Sequence, residues 1–497
     1  MPTGNIYVAL LICIGLMLIL LTVGVVVAVR TARIKPRSLP SPRRPSYDQE
    51  AVARVTEALS NLIRFQTVSN PGSAQGDSEA FLNMWRYLQN RYPLCHEHLE
   101  CEQVNSFSLL YRWVSPDPKG DPIMLCAHMD CAVAAGTWKH PPFAGKVEGG
   151  FVWGRGALSG KANLTCVLEV IESLLSTKAQ VGRDVYLAFG HDKEMGGVQG
   201  AGQIAQLLAS RGIRFSMILD EGNPISDSAL PISCPVIEVG VAEKGNINVR
   251  LSAIGECGSS AEPPEHTSLS FISEALCRVA FRAQKARLSP VIKDTLKGLA
   301  PWLPYKSRML ITNLWLFRRA FLKKLRQNSR TAPLVCSTVA AVMSSCGHSP
   351  GVLPPIAEAI LNIRVLPGDN ERILMVWLDA LIADLPMKTE VLFSANPSKV
   401  SDYHGEEYQM LTASLCDAFD TLPVIPILQC AGSDAKYYEP LCSCVFRMSP
   451  FIVAPGDRKG ICGNNERVSV PSLGAGVQFY RSFIERAALV KAPPGDA

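Results

Sequence analysis

From Ile6 to Val29 the chain runs for 24 residues without one charged side chain, and no other feature restricts its folding more. Coiled as a helix at about 1.5 Å per residue, this run measures about 36 Å. That spans a hydrocarbon core of about 30 Å with some tilt. A cleaved signal peptide would begin with basic residues and end on a small-residue cleavage site. Here Met1 to Asn5 carries no basic residue, and Val27-Ala28-Val29 runs straight into Arg30. We therefore read residues 6–29 as a retained transmembrane helix, making the protein single-pass.

The charge balance follows from that segment. Six of the 49 Lys and Arg residues lie within residues 1–47, which hold no acid, so the rest of the chain is close to neutral despite a net charge of +5. Nothing in this pattern points to nucleic acid. Positive charge gathered after the span argues for a body on the cytoplasmic side. The 16 cysteines are scattered singly apart from Cys442 and Cys444, unlike the framework of a small secreted domain. Asn163 is the only Asn-x-Ser/Thr acceptor without an intervening proline.

A length of 497 residues suggests two domains beyond the anchor. Residues 30–47, with Pro36, Pro40, Pro42 and Pro45, read as an extended basic linker. From Asp48 onward, apolar residues at helical spacing alternate with short apolar strands: helices over 164–175 and 201–210, strands over 122–127, 184–190 and 217–219. This order indicates an α/β sheet with helices on both faces. Near Glu243 the pattern changes. Strands over 247–253, 356–366 and 388–393 accompany helices over 268–282 and 373–385, suggesting a β-α-β-β-α-β unit. An insertion over about 285–335 interrupts it. The division is 48–242 with 398–490 for the α/β body and 243–397 for the inserted unit.

Five polar clusters follow apolar segments, as they do at the carboxyl ends of strands in such sheets. They are His128-Met129-Asp130, Gly154 to Lys161, Gly190-His191-Asp192-Lys193-Glu194, Leu219-Asp220-Glu221-Gly222, and Cys462 to Arg467. An acid two residues after a His can orient the imidazole while the His binds metal. The glycine-rich second cluster, taken alone, reads equally as a phosphate loop or a tight turn.

In this order, and with Trp138 to Phe143, Ser433-Asp434-Ala435-Lys436 and Asn362-Ile363-Arg364, the clusters resemble the aminoacylase and carboxypeptidase family of zinc metallopeptidases. The likeness runs from about residue 48 to about 488 and leans toward members that act on N-acyl amino acids. It implies an α/β zinc-peptidase-like domain carrying an inserted ferredoxin-like lid that mediates dimerisation. It also implies two zinc ions sharing a bridging Asp and cleavage of the amide bond of N-acyl amino acids or small peptides. By that likeness His128, Glu194 and Asp220 stand at metal-ligand positions, Asp130 orients the histidine, and Arg364 grips a substrate carboxylate.

Other positions depart from the family pattern. Ser159 stands where the bridging Asp belongs, Lys193 where the general base belongs, and Cys462 where a late His ligand belongs. Gly258, before Ser259-Ser260, replaces a further His. A general base contributes about 10²- to 10⁴-fold in rate, and a protonated ammonium cannot serve as one. Two dications without their shared anion repel strongly. Cys462 as thiolate remains a good zinc ligand. These departures favour a non-catalytic, ligand-binding or partner-binding relative over an active amidohydrolase. Trp315 to Leu325, basic and amphipathic, reads either as a lid helix with a solvated face or as a membrane-surface segment.

Overall fold

The computed structural model describes residues 3–38, 47–69, 78–227, 232, 234–282, 284–420 and 422–490; part of the basic linker therefore lies outside the described residues. The apolar N-terminal run forms the helix Thr3–Ala32, exposed along nearly all its length. Its stretch Leu10–Ala32 is long and apolar enough to cross a membrane.

The body begins with the helix Gln49–Arg64. Asp48 caps it, its Oδ1 accepting from the Glu50 N–H at 3.0 Å. Val52, Val55, Leu59 and Leu62 recur at three- and four-residue spacing and are buried where the helix packs on Lys161–Ser176 and Val470–Ala487, the helices that cover the main sheet. That sheet has eight strands, in the spatial order Glu100–Val104, Ser108–Trp113, Val185–Gly190, Ile123–His128, Met217–Asp227, Val445–Ile452, Pro235–Glu243 and Val424–Gln429. The four strands from Val185–Gly190 to Val445–Ile452 run parallel to one another. Both faces are covered, so Ile123–His128 and Val185–Gly190 are buried at every residue. Parallel alignment brings the carboxyl ends of these strands to one edge, where His128 lies opposite Gly190.

A second, antiparallel sheet holds Thr338–Cys346, Ile356–Val365, Gly245–Ile254 and Met387–Ala395 in that order. Ile247, Val249, Leu251 and Ala253 alternate inward and pack with residues of the helices Ser268–Phe281 and Glu371–Ile382. The strand Thr338–Cys346 escaped the sequence reading. Its residues are half-buried or exposed, Val342 and Met343 among the exposed ones, so no inward-facing apolar alternation marks it.

The insertion folds as the helices Pro290–Leu299, Tyr305–Thr312, Leu314–Arg326 and Ala332–Val335. Ile292, Leu296 and Leu299 join Val236, Ile425 and Leu428 of the first sheet in one apolar cluster. Thr295 also donates to the Pro426 carbonyl at 2.6 Å. The segment thus covers Val424–Gln429, an edge strand of the eight-stranded sheet.

Candidate active site

His128 ends its strand fully buried, with both ring nitrogens engaged. Nδ1 lies 2.9 Å from Asp130 Oδ1, and Nε2 lies 2.9 Å from Glu221 Oε1 and 3.1 Å from Ser159 Oγ. Asp130 is held in turn by Ser69 Oγ at 2.8 Å and by the backbone N–H groups of Lys193 and Glu194 at 3.1 and 2.9 Å. The loop after Gly190 is thereby folded back over the histidine. Lys193 Nζ donates to Glu194 Oε1 at 3.0 Å and sits 3.5 Å from Glu221 Oε1. Glu221 Oε2 accepts from the Gly160 N–H at 2.8 Å. Gly160 itself is obligatory: its φ is +72°, and an added Cβ would lie 2.4 Å from the His128 carbonyl oxygen.

The charges respond to this crowding. Burial pulls the His128 pKa down, but Glu221 and Asp130 outweigh it and hold the imidazole well above its ordinary value. Burial pushes the Glu221 carboxyl up, yet His128 and Lys193 bring it to about 2. Lys193 is raised well above its ordinary value: Glu221, Glu194 and Cys462 overcome desolvation. Asp220 behaves oppositely to its neighbour. Burial and the charge of Glu221 raise it to about 6, although the N–H groups of Glu221 and Ala435 bind its two oxygens at 2.9 and 2.8 Å. Asp434 is buried nearby and raised well above its ordinary value by burial and by Asp220.

His128, Asp130, Ser159, Lys193 and Glu194 therefore lie together at the carboxyl ends of the strands. Asp220 is at the same edge, but its oxygens are bound by backbone and it is Glu221 that meets His128. Successive residues of a strand point to opposite faces, so that alternation was the signal that only one of the two could face the histidine. Ser69 carried no sequence signal. Cys462 adopts a positive φ of 54° beside Lys193 and Glu194; burial and Glu194 push its thiol up against the pull of Lys193. Lys161 donates to the carbonyls of Leu62 and Phe65 at 3.1 and 2.7 Å, fully buried, so the glycine-rich turn offers no lysine to a phosphate. Arg364 stands apart on the second sheet, donating to Asn362 Oδ1 at 3.2 Å and lying near Gly432. Asn163, buried and bonded to Ser449 and Tyr480, is inaccessible to glycosylation in the folded chain. Among the described residues, no group of three or more His, Cys, Asp or Glu side chains is arranged to hold a metal ion.

Polar clusters at the carboxyl edge of a mixed α/β sheet, with a four-stranded antiparallel sheet inserted in the chain, define a peptidase-type scaffold. The chain belongs to Peptidase family M20/M25/M40, whose model matches residues 124–486. It is 30% identical over 484 residues to the N-fatty-acyl-amino acid synthase/hydrolase PM20D1 of Bos taurus, covering 95% of this chain and 96% of that protein. It is 29% identical over 447 residues to the probable carboxypeptidase S-like 2 of Dictyostelium discoideum, covering 87% and 84% of the two chains. Among solved structures, the M20 family metallo-carboxypeptidase Sso-CP2 of Sulfolobus solfataricus superposes with a TM-score of 0.64 at 14% identity, covering 88% of this chain and 98% of that one.

Proposed function

We propose that this chain is a membrane-anchored M20 relative that binds an N-acyl amino acid or short peptide without two-metal hydrolysis. The observation that carries this reading is the closed circuit of Lys193, Glu194, Glu221 and His128. An imidazole that donates from both nitrogens has no lone pair for a metal. The ammonium of Lys193 already supplies the cation that the carboxylates need, and Ser159 offers a neutral hydroxyl in place of a shared anion. The residues present do not fit a dinuclear zinc centre. Arg364 supplies a cation for a ligand carboxylate, and the inserted unit serves as lid and as the surface for a homodimer or a heterodimer with an active relative.

Membrane anchoring is supported by the way the first helix ends. Thr31 is fully buried, and Asn313, also fully buried, donates to Thr31 Oγ1 at 3.2 Å and to the Val27 carbonyl at 3.4 Å. A leader destined for removal has no use for such contacts with the mature fold. A cytoplasmic body agrees with the basic residues that follow the span.

A second reading, an amidohydrolase with an altered metal site, is favoured by Cys462 beside Glu194. Full-length protein in detergent separates the two by metal content and by hydrolysis of N-acyl amino acids. Our reading expects no zinc-dependent turnover from the native chain and its appearance in Ser159→Asp/Lys193→Glu/Cys462→His. Two firmly held zinc ions and zinc-dependent turnover in the unaltered chain would defeat it.

A further inference from the structure

Where the N-terminal helix meets the insertion, a cavity of about 630 Å³ opens. Five cations line it: Arg30 and Arg33 from the end of the apolar helix, Lys293 and Lys297 from Pro290–Leu299, and Arg318 from Leu314–Arg326. Lys297 is paired with Asp294 at 2.7 Å. Among the described residues, Arg30, Arg33, Lys293 and Arg318 have no acidic partner. Like charges converging without an anion repel one another, so an arrangement that holds them together favours an anionic ligand.

Apart from Thr312, the rest of the lining is apolar. Leu288, Ala300, Ile311 and Leu314 form it, with Trp315 at the rim, 53% exposed. An exposed tryptophan beside the last turn of a membrane-length helix suits the headgroup level of a bilayer. The site is also built rather than incidental. Thr31 Oγ1 lies 3.2 Å from Thr312 Oγ1, the Arg37 N–H donates to the Pro301 carbonyl at 2.9 Å, and the Arg37 guanidinium lies over Trp302. These contacts fix both cation-bearing walls to each other.

We infer that this cavity binds the headgroup of an acidic membrane lipid, its phosphate among Arg30, Arg33, Lys293 and Arg318 and its upper acyl chain along Ile311, Leu314 and Trp315. The inference rests on the anchored reading of the first helix. Acidic lipids are concentrated in the cytoplasmic leaflet, the side to which the basic flank assigns the body.

The test uses the full chain reconstituted with phosphatidylcholine alone or with phosphatidylserine added, and counts retained lipid by native mass spectrometry. One phosphatidylserine per chain is expected, at least about tenfold preferred over phosphatidylcholine. That preference is lost in Arg30→Gln/Arg33→Gln/Lys293→Gln/Arg318→Gln. It is kept in Arg319→Gln/Lys323→Gln/Lys324→Gln/Arg326→Gln, which removes equal charge from elsewhere on the insertion. Equal retention of both lipids, equal loss in both variants, or displacement by oleate in place of phosphatidylserine would each overturn the inference. Flotation with phosphatidylcholine-only vesicles checks the anchor separately: a chain that fails to float removes the premise, while one that floats without lipid preference removes only the lipid site.

Discussion

Two clusters of basic and polar side chains stand in different parts of this molecule and differ in one respect. Around His128 every charge has a counter-charge of the protein's own: Lys193 with Glu194 and Glu221, His128 with Asp130 and Glu221. Around the cavity at the end of the first helix, four cations have none among the described residues. A largely buried circuit whose cations are all paired with the protein's own carboxylates gains little from binding a further anion and loses stability when one member is removed. An unneutralised cluster at the surface behaves in the opposite way: it tolerates loss of a charge and gains from a ligand.

This contrast can be broken experimentally. Lys193→Met leaves Glu194 without its cation and Glu221 with His128 alone, and denaturation should show a loss of about 3–5 kcal/mol; an unchanged midpoint would mean that the lysine does not neutralise the pocket. Glu221→Gln tests the same circuit through pH. The Glu221 carboxyl is depressed from 4.5 to about 2 in the fold, so its contribution is fully present above pH 4.5 and disappears as pH falls toward 2. The stability gap between native chain and variant should therefore narrow across that window, and a constant gap would count against an ionised Glu221. Asn313→Ala removes a buried amide that ties the insertion to Thr31 and Val27, at a cost of about 1–3 kcal/mol. The smallest effect belongs to the cavity. Replacing Arg30, Arg33, Lys293 and Arg318 with Gln should move the stability of the lipid-free protein by no more than about 0.5 kcal/mol, because no ion pair is lost. A large fall there would show that those cations are part of the fold's own charge balance.

Much of this was legible in the sequence, for reasons that differ by region. Uniform apolarity marks the first helix, and three- to four-residue spacing marks Gln49–Arg64. Continuous apolar runs mark Ile123–His128 and Val185–Gly190, because strands buried on both faces leave no polar alternation to confuse the reading. The clusters that end those strands marked His128, Asp130, Lys193 and Glu194 as candidates; that they meet across gaps of more than 60 residues is a property of the fold. Thr338–Cys346 was not legible, since a strand exposed along most of its length carries no inward-facing apolar alternation.

The sequence by itself therefore determined the membrane-length helix, the strand–helix alternation and the residue types at the sheet's carboxyl edge. Those follow from local hydrophobicity and chain order. Only the tertiary structure decided that Glu221 rather than Asp220 meets His128, that Lys161 is spent on main-chain carbonyls, and that the insertion seals the sheet edge while gripping the end of the first helix. The physical reason is the same in each case. Which of two adjacent carboxylates faces a pocket, and which cations meet across a gap of some 260 residues, depends on strand pleat and helix packing, and these are set by the whole fold at once.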